Sequence, residues 1–312
     1  MAEIRERPSW SQHDVPGMQT NQFSGKALNS SDLASQVNAF TIGDGRNKRI
    51  TVPGASKFAQ LQEISITGKL LPKQFIAIDP KTNKRTVSAD PNGYTINPND
   101  GDLHLDIGPA SLQPHITCEL QAATRFLSTF KPAVGQQITI GGFFRCLFEH
   151  PGFGAGDDGH IFEIHPVTLA IVAGKTLSFE IGMPDQQSIH AWTSPHPLNV
   201  QDKKIQVSYD QTRDTLTFSG MDGNDENYVK VAGTVSQVQP NNTGGPATFV
   251  LSSPEIGHTV RVLCLQTSRA RKQLIALKGS KVSMVGLRNI DLAEALKSRY
   301  TINLLGIDIQ AA

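Results

Sequence analysis

The sequence predicts an all-β protein made of two small closed barrels, and three observations lead to this prediction. Between residues 63 and 172, five runs of alternating apolar and polar residues surround one short run with helical spacing. The same order of runs returns in residues 228–312. Glycine lies inside the fourth run of each set, at Gly141-Gly142 and at Gly286, where a small barrel needs a bend or bulge to close.

The alternating runs and the helical run define the order of the elements. In the second run Leu103, Leu105 and Ile107 share one face and the polar residues between them share the other, which is the period of a half-buried strand. After the third run, residues 122–131 have helical spacing and Pro132 ends the segment. Three strands, a helix and two more strands describe an OB-type barrel. We therefore predict two OB-like five-stranded barrels joined by a β-hairpin connector.

The remaining segments are assigned from their periodicity. The N-terminal part has no sustained pattern apart from a short helix in SSDLASQVNAF, and the segment after the first barrel has two alternating runs around a polar turn, as in a hairpin. We expect residues 79–100 and 149–160 to be loops that form the two jaws of a ligand groove. The predicted parts are a partly ordered N-terminal arm (1–57), a first barrel (58–173), a hairpin connector (174–227) and a second barrel (228–312).

The composition is that of an ordinary globular protein. Of the 312 residues, 38% are apolar and 18% are charged. The chain lacks a run of about 18 apolar residues and the apolar segment of a secretory signal, so we expect no membrane partner. Cys118, Cys146 and Cys264 lie in predicted strands without a C-x-x-C spacing, which indicates reduced core cysteines and a cytoplasmic location.

The net charge of +1 hides a segregation of charge along the chain. Lys and Arg number 8 against 11 Asp and Glu in residues 58–172, 4 against 8 in residues 173–227, and 10 against 4 in residues 228–312. A basic OB barrel suits the phosphate backbone of a single strand, whereas a basic face that docks onto the acidic middle of the chain is the alternative. The candidate nucleic-acid-binding residues are Arg261, Arg269, Arg271, Lys272, Lys281 and Arg288, with Tyr94 and Phe153 as base-stacking candidates on the two jaws of the first barrel.

A second set of candidates lies on the outer face of the first barrel. If Phe162 and Ile164 point inward on the fifth strand, Glu163 and His165 point outward. The second, third and fifth strands of an OB barrel are neighbours, so these side chains would share one wet surface with those of the other two strands. Imidazoles and carboxylates together suit a zinc or manganese site or a general acid/base pair, and equally a structural cluster of ion pairs. The candidate metal ligands are His104, Glu119, Glu163 and His165.

Three short motifs of the first barrel carry a resemblance to a known family: G-D-x-H at residues 101–104, G-F-F at residues 142–144 and E-x-H-P-V at residues 163–167. In this order they resemble small bacterial OB-like proteins, over roughly residues 60–172. The resemblance implies an OB fold for the first barrel. It carries over no catalytic role, because the activity of those relatives is unsettled. The second barrel retains only Gly286 of these motifs, so we expect whatever they do to be done once per chain.

Three functions follow from these observations. The sequence favours non-catalytic binding of single-stranded nucleic acid, mainly by the basic second barrel. The first alternative is a metal-dependent hydrolase, such as a nuclease, with its site on the first barrel. The second is a protein-docking subunit of a larger assembly, with the N-terminal arm reaching a partner or a second copy. The chain has no P-loop, G-x-S-x-G or H-E-x-x-H pattern, which disfavours phosphate-cradle NTPases and the common hydrolases.

Overall fold

The computed structural model of the protein consists mainly of β-strands joined by short helices. None of the helices it describes has the length and apolar character needed to span a bilayer. The structure describes residues 28–37, 39–42, 49–78, 85–89, 94, 102–108, 115–121, 123, 126–150, 160–179, 205–220, 227–240, 246–255 and 258–312.

Strands and helices are numbered in chain order. The strands are β1 (Leu28–Asn29), β2 (Thr41–Ile42), β3 (Arg49–Pro53), β4 (Glu63–Leu70), β5 (Gln74–Ile78), β6 (Arg85–Ala89), β7 (Leu103–Gly108), β8 (Ile116–Leu120), β9 (Gln137–His150), β10 (His160–Val172), β11 (Lys175–Ser178), β12 (Gln206–Asp210), β13 (Thr215–Ser219), β14 (Tyr228–Pro240), β15 (Ala247–Ser253), β16 (His258–Cys264), β17 (Lys281–Ile290) and β18 (Ile302–Ala311). The helices are α1 (Ser30–Val37), α2 (Ala55–Phe58), α3 (Leu127–Phe130), α4 (Arg269–Gln273) and α5 (Leu292–Ala295), with 3₁₀ turns at Lys131–Ala133 and Leu274–Leu277.

The first barrel is a closed ring of five strands. β4 pairs with β7, β7 with β8, β8 with β10, β10 with β9, and β9 pairs back with β4. The β8–β10 pairing is parallel and the other four are antiparallel. This is the strand order of an OB barrel, and α3 lies between the third and fourth strands as the sequence predicted.

The second barrel has the same strand order. β14, β15, β16, β18 and β17 form a closed ring, in which only the β16–β18 pairing is parallel. α4 lies between its third and fourth strands and α5 between its fourth and fifth. Asp291 caps α5 because its Oδ1 accepts a hydrogen bond from the backbone N–H of Glu294 at 3.2 Å. The all-β fold class and the two five-stranded rings are therefore confirmed.

The glycine in the fourth strand of each ring lies at an irregularity of the ladder. In the first barrel the register shifts between Val167, opposite Gly142, and Leu169, opposite Gly141. In the second barrel it shifts beside Gly286. At Gly142 the strands approach so closely that a Cβ atom would lie 2.3 Å from the backbone oxygen of Pro166, so any other residue would force the two strands apart.

The N-terminal segment is more closely integrated with the fold than the sequence suggested. β1 pairs with β4 in parallel, and β2 and β3 join the predicted hairpin β12–β13 in a four-stranded sheet of order β12-β13-β3-β2. Asp214, in the turn of that hairpin, accepts hydrogen bonds from the backbone N–H and the hydroxyl of Ser56 at 2.9 and 2.8 Å. β3 was not predicted, because an alternation of apolar and polar residues over only five positions is a weak signal.

The first jaw of the predicted groove also contains regular structure. β5 pairs with β6 as an antiparallel hairpin, and β6 falls within the segment 79–100 that we expected to be a loop. Tyr94, in the same segment, is 2% exposed and its hydroxyl donates to the backbone oxygen of Leu71. The stacking role predicted for Tyr94 is therefore corrected, because its ring packs in the core of the first barrel.

The two barrels meet through an apolar contact between their outer faces. Phe143, on β9, packs against Tyr228 at the start of β14 and against apolar residues of β17 and β18. The apolar residues of the second barrel in this contact are Leu265, Val285, Leu287, Leu305 and Ile307. The contact between the barrels matters for the candidate site because it closes one polar face of the first barrel.

The three cysteines, Cys118, Cys146 and Cys264, are free thiols buried in strands, as expected.

Candidate functional site

The polar face of β7, β8 and β10 is buried against the second barrel. Tyr228 donates its hydroxyl to Asp102 Oδ2 at 2.7 Å and accepts a hydrogen bond from Gln121 Nε2 at 2.7 Å. Asp102, Glu119 and Gln121 are all buried. The wet surface expected from alternation is therefore wrong, since the beginning of β14 covers it. We call the buried set Asp102, Glu119, Arg145, Glu163 and His165 the interbarrel cluster.

Arg145 is the cation of the interbarrel cluster and connects the two barrels. Its side chain, on β9, is fully buried and donates to the carboxylate of Glu163 and to the side-chain oxygen of Asn227. It also lies 3.4 Å from the backbone oxygen of Arg288. Arg145 was not among the residues predicted from the sequence. It lies inside the apolar strand GGFFRCLF, and an arginine in such a strand indicates a buried ion pair, because a buried charge needs a partner.

His165 lies between carboxylates on both sides of its ring. Its Nδ1 lies 2.8 Å from Glu119 Oε2 and 3.4 Å from Glu163 Oε1, and its Nε2 lies 3.6 Å from Asp102 Oδ2. Neither ring nitrogen has a hydrogen bond of good geometry within the described part of the chain. The ring is therefore held by charge and packing rather than by aligned hydrogen bonds.

The charges of the cluster shift one another's pKa values. Burial would raise the pKa of Glu163, but the Arg145 guanidinium holds it well below its usual value. Burial and the Glu163 carboxylate would also raise the pKa of Glu119, but the imidazoles of His104 and His165 hold it below its usual value. Burial would lower the pKa of His165, yet the Glu119 carboxylate raises it to about 10.

The predicted metal ligands are brought together unequally. Glu119, Glu163 and His165 converge in the cluster, whereas His104 is 29% exposed at its edge, with Nε2 3.3 Å from Glu119 Oε1. Asp102, outside our ligand set, lies beside His165, with Oδ2 3.6 Å from Nε2. Among the described residues, the groups whose ligand atoms lie within 4.8 Å of one another are Asp102, Glu119 and His165, and Glu119, His160 and Glu163.

Glu63 is a buried acid outside the cluster, and no ion pair joins it to another described residue. Its Oε2 has no hydrogen-bond partner among the described residues, and burial raises the pKa of its carboxyl well above 4.5. The folded state therefore holds a proton that the unfolded chain releases near pH 4.5. The stability contribution of this proton is complete below that pH and is lost as the pH rises towards the folded-state pKa.

We expect the variant Glu63→Gln to be more stable than the wild type at pH 8, and the difference between them to shrink at pH 5. Glutamine keeps the size of the side chain but cannot ionise. Urea unfolding of both proteins at the two pH values measures the difference. Glu255→Gln, at an exposed position, is the control. A difference that is the same at both pH values would contradict an uncompensated buried carboxyl.

A cleft of about 740 Å³ opens between the barrels. One wall comes from α2 and β9 of the first part of the chain, including Phe58, Phe143 and Phe144, whose rings are almost completely buried. The other wall belongs to the second barrel. Its lining residues there are Gln239, Pro246, Thr248, Arg261, Leu263, Asn289, Ile290, Asp291, Leu292, Ala293, Glu294, Lys297 and Asn303.

These lining residues come from the part of an OB barrel that carries its ligands. Thr248, Arg261 and Leu263 lie on β15 and β16, the second and third strands. Pro246 flanks the loop between the first two strands, and the segment 291–297 belongs to the connection between the last two. OB barrels bind oligonucleotides and oligosaccharides on this face and between these two loops.

The charged residues of the cleft are partly neutralised among themselves. Lys297 Nζ lies 2.6 Å from Glu294 Oε1, and the Arg299 guanidinium lies 2.8 Å from Glu294 Oε2. Asp291 is occupied as the cap of α5. Arg261 is exposed on the strand face. Arg261 and Lys297 are therefore the two positive side chains that the cleft presents to a ligand. The carboxylates of the cleft, Asp291 and Glu294, already have partners.

The predicted nucleic-acid-binding residues are dispersed by the structure. Arg261 alone of them lines the cleft, whereas Arg269, on α4, lies 3.8 Å from Asp308 Oδ2. Arg271 also lies on α4, partly buried. The binding role predicted for Arg288 is corrected, because its side chain is 0% exposed and cannot reach a ligand at the surface. Lys272 and Lys281 are exposed, and Phe153 lies outside the described residues.

Comparison with known proteins adds little. A scan against protein-family models and a search of curated proteins give no match. Among solved structures, similar ones include the single-stranded DNA binding protein from Thermus aquaticus, at 11% identity and TM-score 0.22, covering 81% of this chain and 93% of that one. The Ifi202 HINa domain in complex with 20bp dsDNA also has 11% identity and TM-score 0.22, with coverages of 80% and 97%. At this level of similarity the neighbours decide nothing about function, and the fold assignment rests on the strand pairing.

Proposed function

We propose that the protein is a non-catalytic binder of single-stranded nucleic acid and that the strand lies in the cleft on the second barrel. The observation that carries the proposal is a contrast between the two barrels. On the first barrel, the outer face of the third strand is covered, with Thr117, Glu119 and Gln121 buried. On the second barrel the corresponding face is open, with Thr259 and Arg261 exposed.

The shape and polarity of the cleft support the proposal. A volume of about 740 Å³ lies within the usual range of ligand sites. Arg261 and Lys297 supply positive charge for phosphates. The pairing of Lys297 with Glu294 is exposed, and such pairs are worth only about 0–1 kcal/mol, so a phosphate can replace the carboxylate as partner. Asn289 and Asn303 also line the cleft, where Asn289 Nδ2 donates a hydrogen bond to Asn303 Oδ1 at 2.7 Å.

The interbarrel cluster is better suited to a structural role than to the hydrolase alternative. Its carboxylates are almost completely buried, and a hydrolytic site needs a path for substrate and water. Arg145 already compensates Glu163, so that carboxylate is not free to act as a base. These features favour a structural role for the interbarrel cluster over a hydrolytic one.

Fluorescence anisotropy with a labelled oligothymidylate and its RNA counterpart tests the proposal. Arg261→Ala and Lys297→Ala are each expected to weaken binding and to reduce the slope of log K against log salt by about 0.7, the value for one phosphate of a single strand. The control is Lys131→Ala, an exposed lysine of the first barrel.

Two other results would contradict the proposal. If Arg271→Ala and Lys272→Ala weaken binding while the cleft variants do not, the strand binds along α4 and the cleft assignment is wrong. If neither oligonucleotide binds the wild-type protein at low salt, the nucleic-acid function itself is wrong. A mass that increases with concentration in light scattering would then favour the protein-docking alternative.

A further inference from the structure

A direct hydrogen bond joins the two walls of the cleft. Asn289, on β17 of the second barrel, accepts through Oδ1 from the backbone N–H of Cys146, on β9 of the first barrel, at 3.1 Å. Both residues line the cleft, and the Asn289 side chain is buried. A hydrogen bond is stronger in such a low-dielectric place than in water, so it holds β17 in one position against β9.

The same amide begins a chain of hydrogen bonds that ends at α5. Asn289 Nδ2 donates to Asn303 Oδ1 at 2.7 Å, and Asn303 Nδ2 donates to Asp291 Oδ2 at 3.4 Å. The other carboxylate oxygen of Asp291 caps α5 by accepting from the backbone N–H of Glu294. α5 has only four residues, and a helix this short depends on contacts of this kind to form. The Asn289 side chain therefore links Cys146 in the first wall to the start of α5 in the second.

α5 in turn places Lys297, one of the two positive side chains of the cleft. Lys297 follows the end of α5 at Ala295, and its backbone N–H donates to the backbone oxygen of Glu294 at 2.9 Å. Its Nζ lies 2.6 Å from Glu294 Oε1. The backbone and the side chain of Lys297 are therefore both held by a residue of α5. Arg261, in contrast, lies on β16 and belongs to the barrel wall itself.

We propose that Asn289 is a positioning residue that holds Lys297 where it contacts a phosphate of the bound strand. This role rests on the proposed function and names the residue that aligns one of its two cationic contacts. The Asn289 amide is neutral and is bonded to Cys146 and Asn303, so it acts through α5 rather than on the strand. A cation that is held in place before binding contacts a phosphate more tightly than one that binding must first order, because less conformational entropy is lost.

Anisotropy titrations of the full chain with the labelled oligothymidylate, at several salt concentrations, test this role. The neutral substitution Asn289→Leu should weaken binding and reduce the slope of log K against log salt by up to about 0.7, because a phosphate contact is lost although no charge is removed. The double variant Asn289→Leu/Lys297→Ala should bind within about twofold of Lys297→Ala, since the two residues serve one contact. The matched control is Gln273→Leu. The Gln273 amide also accepts from a backbone N–H, that of Ile309 at 3.1 Å, but does not line the cleft.

The outcomes separate this role from the proposed function. If the wild type binds and Asn289→Leu keeps the wild-type slope, or if the control reduces the slope by as much, the positioning role alone is wrong. A wild-type protein that binds no oligonucleotide overturns both. If Asn289→Leu does not fold, Asn303→Ala decides the question, because it breaks the same chain one step closer to α5. A reduced slope for Asn303→Ala supports the role of Asn289, and a wild-type slope overturns it.

Discussion

The variant Arg145→Met is expected to lose about 3–5 kcal/mol of unfolding free energy. The substitution leaves the carboxylate of Glu163 buried without its guanidinium partner. It also removes the donors to Asn227 and to the backbone oxygen of Arg288, both in or next to strands of the second barrel. Urea denaturation followed by circular dichroism measures the loss.

Two further variants separate the buried charge from a general effect of losing an arginine. Arg213, which is 83% exposed and lies 3.7 Å from Asp210, should tolerate Arg213→Met with a change of about 0.5 kcal/mol or less. The double variant Arg145→Met/Glu163→Leu should recover most of the loss, because both charges are then removed. A double variant no more stable than Arg145→Met would show that the ion pair is not the source of the effect.

The variant Gly142→Ala is expected to cost about 3 kcal/mol, the upper part of the range for overpacked positions. The new Cβ would lie 2.3 Å from the backbone oxygen of Pro166 and 2.9 Å from the Cα of Val167. Backbone atoms cannot rotate away as the end of a side chain can, so β9 and β10 must separate. The thermal unfolding midpoint and the urea midpoint of the purified variant measure the cost.

Gly286 provides the matched comparison in the second barrel. The nearest atom to a Cβ built there is the backbone oxygen of Leu305 at 3.0 Å, and the next is 3.4 Å away. A shift of a few tenths of an ångström relieves this contact, so Gly286→Ala should cost about 1 kcal/mol or less. Equal losses at the two glycines would contradict the close approach of β9 and β10.

Local patterns were sufficient to predict the strands of the two rings, but not the short strands β3 and β6, and they did not show what covers the rings. Alternation identified both rings of strands, since period two is a property of each strand alone. Asp102 and Glu119 are buried because two distant parts of the chain meet. The alternation of apolar and polar residues predicts only that such polar positions face solvent. Arg288 was misassigned for the same reason, because a charge count does not reveal which arginines face the interior.

The candidate site was predictable in part. The sequence predicted that Glu119, Glu163 and His165 lie close together, and the structure places them so, because adjacent strands of a barrel hold their outward-facing residues side by side. The role of Arg145 was missed, since its partners lie on β10 and at residue 227, far apart in sequence. The cleft could not be predicted either, because its walls are contributed by both barrels.

We propose that single-stranded nucleic acid binds the open face of the second barrel. Hydrogen exchange measured by mass spectrometry, with and without a saturating single-stranded oligonucleotide, locates the bound strand. We predict slower exchange of the backbone amides in residues 246–250 and 289–299, which border the cleft, and unchanged exchange in residues 269–281. Protection confined to residues 269–281, with the cleft segments unchanged, would place the strand on α4 and not in the cleft.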